Sequence, residues 1–149
     1  MKKTLLLFVW IFASGNLFGQ ILMPVKWSYA AKKINDKEAI LFIKATIDEG
    51  WHIYSVNQPD GGPVKTSFTF FPSKEYNLID KLMEPKPQVK YENNFKIDVR
   101  YFEKSVVFQQ KVKVKTKHTT ISGKLNFMVC NEEKCLPPED IIFKIPIKN

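Results

Sequence analysis

The chain has 149 residues, a formal net charge of +8 and twelve phenylalanines. Its length and globular composition predict one domain of ordinary size, with enough core to fold without a covalent cross-link. The lysines are spread by strand alternation, as in Lys111, Lys113 and Lys115, so we interpret the positive charge as a solvated sheet face and expect no nucleic-acid partner.

The N-terminal segment has the layout of a secretory signal peptide, in which a basic start and an apolar run precede small residues. The uncharged run over 4–13 is shorter than the roughly 20 residues that span a bilayer, although a retained anchor is the alternative. We predict a signal peptide over 1–19, with cleavage after Gly19 or earlier after Gly15. No cysteine lies there, so no lipid anchor is expected. The mature chain, residues 20–149, is predicted to be exported to the periplasm without membrane insertion.

The mature chain predicts short β-strands and no helix, because apolar and polar residues alternate in runs separated by turn residues. Residues 74–90, which contain two prolines, are predicted to be irregular. This number and spacing of strands favours an all-β antiparallel sandwich over a closed barrel. The predicted strands cover 25–29, 39–47, 51–54, 67–71, 95–101, 106–115, 121–130 and 141–147.

Both cysteines of the chain lie in one segment, FMVCNEEKCLPP. Cys130 is predicted to end a strand and Cys135 to begin the return, while Pro137 and Pro138 impose an extended exit. Thiols that face each other across such a hairpin can approach the Cα separation of about 4.4–6.8 Å that a disulfide tolerates. The pair is open to three interpretations: a structural staple, a metal site or a redox couple.

The staple and metal interpretations each meet a difficulty. A disulfide that closes six residues contributes only about 2 kcal/mol, which a domain with this much core hardly needs. Zinc usually takes four protein ligands, and His52 and His118 are far away in sequence. Copper(I) is softer and would take Cys130, Cys135 and Met128.

The redox interpretation requires a different arrangement from that of thioredoxin. No helix N-terminus is predicted near the cysteines to lower a thiol pKa, and Glu132 and Glu133 disfavour a thiolate. The pair would therefore act as a disulfide that a partner's thiolate attacks, because exchange also depends on the leaving thiol, on strain and on access.

Two stretches resemble the N-terminal periplasmic domain of DsbD, the thiol:disulfide interchange protein. VCNEEKCLPPED, residues 129–140, resembles the active-site hairpin of that family, and EGWHIYSVNQPDGGP, residues 49–63, resembles its earlier Gly-aromatic-x-x-Tyr strand. The resemblance implies an immunoglobulin-like sandwich and an electron relay with protein-disulfide reductase activity. Cys135 would form the mixed disulfide with partners, and Cys130 would resolve it.

The resemblance also implies which residues flank the disulfide. His52 and Tyr54 match two aromatic positions, the first of which is more often tyrosine in the family. An imidazole there would serve as a proton shuttle, or else be a rim histidine without chemistry, and Tyr54 would be a packing wall. Phe95 would shield the disulfide from a cap loop over 92–95, or else open the next strand in the core. Pro137 belongs to the paired proline that follows the cysteines.

The partners follow from the same resemblance. The sequence contains neither the membrane domain nor the thioredoxin-like domain of full DsbD, so the electron donor, thioredoxin-like or membrane-bound, is expected on a separate chain. The expected clients are periplasmic proteins with disulfides. No cofactor and no metal are expected. The alternatives are a non-enzymatic protein-binding module with a structural disulfide and a binder of a soft metal such as copper.

Overall fold

The computed structural model describes residues 22–93 and 95–147, so the predicted signal peptide lies outside the described residues. These ranges contain eleven β-strands and no helix, and hence no helix of a length and apolarity suited to crossing a membrane. The strands are β1 (Val25–Asn35), β2 (Glu38–Ile47), β3 (His52–Tyr54), β4 (Ser67–Phe70), β5 (Tyr76–Met83), β6 (Gln88–Glu92), β7 (Ile97–Glu103), β8 (Ser105–Val114), β9 (Thr119–Phe127), β10 (Val129–Cys130) and β11 (Glu139–Ile147).

The strands form three open antiparallel sheets. One has the order β1-β2-β8-β5, the second β11-β9-β4 and the third β10-β3-β7-β6. Trp27 of β1 packs edge-on against Phe127 of β9 with ring centroids 5.2 Å apart, so the first two sheets face each other. Since every one of these sheets ends in edge strands, the described residues form the predicted sandwich and not a closed barrel.

The core lies between the facing sheets and is rich in aromatic rings. Phe108 of β8 is completely buried. Its ring lies 5.0 Å from that of Phe68, 6.0 Å from that of Phe102 and 6.2 Å from that of Trp27. Val106 and Val112 are buried on the same face of β8, which is the period-two pattern of a half-buried strand.

The prediction that residues 74–90 are irregular is wrong, because β5 and most of β6 lie there. Both are edge strands. β5 pairs with β8 through a register shift between Ile79 and Met83, and β6 is largely exposed. An edge strand with little buried surface has no need of alternating apolar residues, so the sequence carries no period-two signal.

The predicted strand over 121–130 is in fact two strands. β9 ends at Phe127 and pairs with β11 and β4, whereas β10 pairs with β3 in another sheet. Phe127 and Val129 are both buried in the main core. The alternation of buried and less buried residues therefore continues from β9 into β10, although the chain changes sheets at Met128. This change of sheets brings Cys130 beside β3.

Candidate functional site

A short hairpin holds the two cysteines together as a disulfide. Cys130 and Cys135 form an antiparallel bridge with Cα atoms 4.0 Å apart, just below the predicted separation. The N–H of Leu136 donates to the carbonyl of Val129 on one side of the bridge, and the N–H of Asn131 donates to that of Lys134 on the other, both at 2.9 Å. The pair therefore occupies a non-hydrogen-bonded position, where facing residues approach most closely.

Asn131 fixes the turn between the cysteines. Its Oδ1 accepts the N–H groups of Glu133 at 2.9 Å and Lys134 at 2.8 Å. Asparagine favours such turns because its side chain satisfies backbone donors that the turn leaves unpaired. The turn presents the side chains of residues 132–135 to solvent.

The two cysteines differ sharply in exposure. Cys130 is 1% exposed and packs in a small cluster with Tyr54 and Val99, apart from the main core. Cys135 is exposed at the hairpin. Exchange requires an incoming thiolate to reach a sulfur atom, and of the two cysteines only Cys135 is exposed.

Strand β3 supplies one wall of the site. His52 pairs with Cys130, and the ring of His52 lies beside that of Tyr54, with Nε2 3.1 Å from the Tyr54 Oη. Ile53 between them points into the main core and is fully buried. The alternation of a strand therefore places both polar rings on the disulfide face.

The loop that leaves β3 is fixed by Glu84. Its carboxylate accepts hydrogen bonds from the Ser55 hydroxyl, from the N–H of Val56 at 3.0 Å and from the Asn57 Nδ2 at 2.8 Å. Hydrogen bonds to a charged acceptor are stronger than neutral ones, so this carboxylate anchors the chain directly after Tyr54.

A cleft of about 550 Å³ surrounds the disulfide. Phe95 lies in its lining and is 43% exposed, and β7 begins only at Ile97. Phe95 therefore does not open a strand in the core. The N–H groups of Phe95 and Lys96 both bond to the carbonyl of Glu92, at 3.2 and 2.8 Å, which holds Phe95 close to Glu92, another residue of the lining.

The cleft is acidic although the chain as a whole is basic. Four glutamates but only two lysines are among the described residues that line the cleft. An acidic surrounding raises the pKa of a cysteine thiol. The charged lining residues are Glu92, Glu103, Glu132, Glu133, Lys90 and Lys134.

The surroundings of both polar rings of β3 favour the uncharged forms. Burial lowers the pKa of His52; Lys90 acts in the same direction, whereas Glu103 and Glu92 oppose it. Burial, together with Glu92, raises the pKa of Tyr54 to about 12. The hydrogen bond between them therefore joins two groups in their neutral forms, one of which donates its proton to the other.

The predicted site residue Pro137 lies outside the lining of the cleft, and so does His118, the histidine that is remote in sequence from the cysteines. Pro137 lies against residues 22–25 and Leu136, in a separate small groove. His118 lies beside Glu75 at the other end of β9. Within residues 22–93 and 95–147, no three His, Cys, Asp or Glu side chains cluster as metal ligands would.

The match to known sequences decides the family. Residues 20–146 match the family described as "Thiol:disulfide interchange protein DsbD, N-terminal". This chain belongs to the DsbD N-terminal family. The resemblance seen in the cysteine hairpin and in β3 is thereby confirmed over residues 20–146.

Solved structures of DsbD N-terminal domains share the fold. The reduced domain from Neisseria meningitidis is 15% identical with a TM-score of 0.56, and covers 83% of this chain and 86% of its own. The same organism's domain in complex with the PilB N-terminal domain is 15% identical with a TM-score of 0.55, covering 84% and 87%. The predicted immunoglobulin-like antiparallel sandwich is confirmed.

A third solved structure is longer than the shared domain. The N-terminal periplasmic domain of ScsB from Proteus mirabilis is 20% identical with a TM-score of 0.60. The match covers 85% of this chain but 49% of that one. Among curated proteins, no sequence matches this chain.

One wall of the site, formed by β7, was not predicted from the sequence. Tyr101 of β7 pairs with Tyr54, and its ring lies 5.3 Å from that of His52. Val99 on the same strand packs against Cys130. The alternation of β7 was visible in the sequence, but the partner of that strand lies almost fifty residues earlier, and nothing local identifies it.

Proposed function

We propose that this protein is an exported thiol:disulfide exchange module that relays electrons through Cys130 and Cys135 to periplasmic partner proteins. The observation that carries the proposal is the unequal exposure of the two cysteines of one disulfide: both line the cleft, but Cys135 is exposed and Cys130 is buried. Membership of the DsbD N-terminal family supports it.

The exchange cycle runs through mixed disulfides. A donor thiolate attacks the sulfur of Cys135, and the bond to Cys130 breaks with Cys130 as the leaving thiolate. The second thiol of the donor then attacks the mixed disulfide, which oxidises the donor and leaves both cysteines reduced. In the second half, Cys135 attacks a client disulfide and Cys130 releases the client as a dithiol. Two electrons and two protons pass from donor to client.

The buried leaving group needs a proton, because a thiolate is costly in an apolar cluster surrounded by glutamates. We assign this role to His52, which pairs with Cys130 and is hydrogen bonded to Tyr54. The imidazole takes a proton from solvent, gives it as imidazolium to the Cys130 thiolate and returns to its neutral form, whereas the Tyr54 phenol, with a pKa of about 12, is a much weaker acid. Tyr54 then acts as an orienting wall.

The partners are proposed from membership of the DsbD N-terminal family. The donor is a thioredoxin-like or membrane-bound protein on a separate chain, and the clients are periplasmic proteins with accessible disulfides. A DsbD N-terminal domain has been solved in complex with a PilB N-terminal domain, which supports a protein partner for this fold. Pro137 contributes by keeping the exit from the hairpin extended.

A direct transfer experiment tests the function. Reduced protein is mixed with an oxidised thioredoxin-like domain, and the free thiols on each chain are counted by alkylation and mass. We expect two thiols to disappear from this protein and two to appear on the partner. The double variant Cys130→Ser plus Cys135→Ser should transfer none. A complex that forms equally well with the double variant, without thiol transfer, would favour a binding module with a structural disulfide.

Removing the aromatic ring of Phe95 should make the disulfide more accessible to small reductants. We expect Phe95→Ala to speed reduction by dithiothreitol roughly three- to tenfold, because the rate of exchange depends on access to the sulfur. Phe71→Ala is the matched control, since Phe71 is similarly exposed at 39% but is not among the residues lining the cleft. Equal rates for Phe95→Ala and the unmodified protein would refute the shielding role.

A further inference from the structure

A second charged surface lies at the end of the sandwich opposite the disulfide. Five lysines and Asp36 line a cleft of about 710 Å³, and Asp36 is the single carboxylate among its described lining residues. The sequence predicted lysines dispersed over a sheet face, whereas strand ends from different parts of the chain bring these five together. We call this surface the basic end; its lysines are Lys33, Lys37, Lys113, Lys115 and Lys117.

Backbone hydrogen bonds hold the basic end together. The N–H of Val114 donates to the carbonyl of Lys37 at 2.8 Å, which ties the β1–β2 turn to the end of β8. The N–H of Lys115 donates to the carbonyl of Glu75 at 2.8 Å, which ties β8 to the segment before β5. These bonds fix the backbone of the β1–β2 turn beside the end of β8 and so keep the lysines of both segments at one end of the sandwich, although their mutual repulsion favours separation.

The five lysines of the basic end outnumber the carboxylates on the neighbouring strand ends, which include Asp36 in the lining and Glu38, the cross-strand neighbour of Lys113. Glu38 lies 3.4 Å from the ammonium of Lys111, outside the cleft lining. Lys115 donates to the neutral amide of Asn77 at 2.9 Å. Positive charge concentrated in this way attracts an anionic surface over about a Debye length.

An apolar side chain stands at the same end. The register of β1 and β2 shifts between Lys33 and Asn35, and the intervening Ile34 is 49% exposed. Ile34 continues the exposed face of β1. An exposed isoleucine beside lysines fits the boundary between lipid headgroups and acyl chains, whereas a soluble polyanion would gain nothing from it.

We propose that the basic end docks on an anionic bilayer surface, with the lysines among the lipid headgroups and Ile34 entering the interface. β9 runs from the basic end to the disulfide end, and its nine residues separate the two by roughly 30 Å at about 3.3 Å per residue. A protein docked in this way holds Cys135 away from the bilayer, where partner proteins can reach it.

Vesicle flotation tests the proposal with the processed protein, residues 20–149. We expect flotation with vesicles of phosphatidylcholine and phosphatidylglycerol at 3:1, little with phosphatidylcholine alone, and loss of binding at high salt. The triple variant Lys113→Gln, Lys115→Gln, Lys117→Gln should lower the partition coefficient by at least about tenfold, since each lysine near an anionic surface contributes roughly fivefold. Ile34→Ser should lower it severalfold.

The matched control removes the same charge elsewhere. Lys26→Gln, Lys44→Gln, Lys86→Gln changes exposed lysines that are not in the lining of the basic end, and should lower partition less than about threefold, because screening limits their effect at a distance. Equal loss in both triple variants would overturn the proposal. So would retention on heparin, undiminished by Ile34→Ser, without flotation, since that pattern marks a soluble polyanion. Disulfide reduction should be unchanged in both triple variants.

Discussion

The variant Cys130→Ser is expected to trap a client protein on Cys135 as a stable mixed disulfide. Cys135 is exposed and still attacks the client disulfide, but no second thiol remains to release the client. The covalent complex should form on mixing, be preserved when all remaining free thiols are then quenched with N-ethylmaleimide, and disappear with dithiothreitol. Non-reducing electrophoresis with mass spectrometry of the linked peptides measures it.

The reciprocal variant is the control for this experiment. Cys135→Ser leaves Cys130 buried at 1% exposure, so we expect no complex and a complete loss of exchange. Cys130→Ala repeats the trap without placing a hydroxyl in the apolar cluster, in case an unsatisfied polar group there weakens the fold. A client trapped on Cys130, or on neither cysteine, would contradict the assigned order of attack.

Truncation of Phe108 is expected to produce the largest loss of stability. Its ring is fully buried and contacts aromatic rings from both facing sheets, so Phe108→Ala leaves a cavity that the sandwich cannot close. Such changes cost about 3–5 kcal/mol, a large part of the total for a domain of this size. Urea unfolding followed by tryptophan fluorescence measures the change.

Phe71→Ala provides the control, because it removes the same atoms from a ring that is 39% exposed. We expect it to lower the free energy of unfolding by less than about 1 kcal/mol. If the two variants were equally stable, the aromatic cluster around Phe108 would not be the centre of the core.

The central strands and the cysteine hairpin could be predicted because their signals are local. The alternation in β2 and β8 reflects burial of one face, and Leu41, Ile43 and Val112 are indeed fully buried. The spacing of Cys130 and Cys135, with prolines after them, restricts the chain to a hairpin whatever the rest of the fold does. His52 and Tyr54 were found because their strand resembles that of a known family.

The remaining features depend on pairings that no local pattern encodes. β5 and β6 lie at sheet edges and bury too little to show a period. Tyr101 enters the site only because β7 pairs with β3. The basic end arises only when the turn at Lys37 meets the end of β8. Long-range pairing, and not residue type, decides each of these.

The reduction potential of the Cys130–Cys135 pair tests the central claim most directly. It is measured by alkylation mass shift after equilibration across a series of glutathione or dithiothreitol redox buffers. We predict a value within about −180 to −270 mV, the range of exchange catalysts and carriers. A value below roughly −300 mV is typical of structural disulfides, and would show that this disulfide holds the hairpin and does not relay electrons.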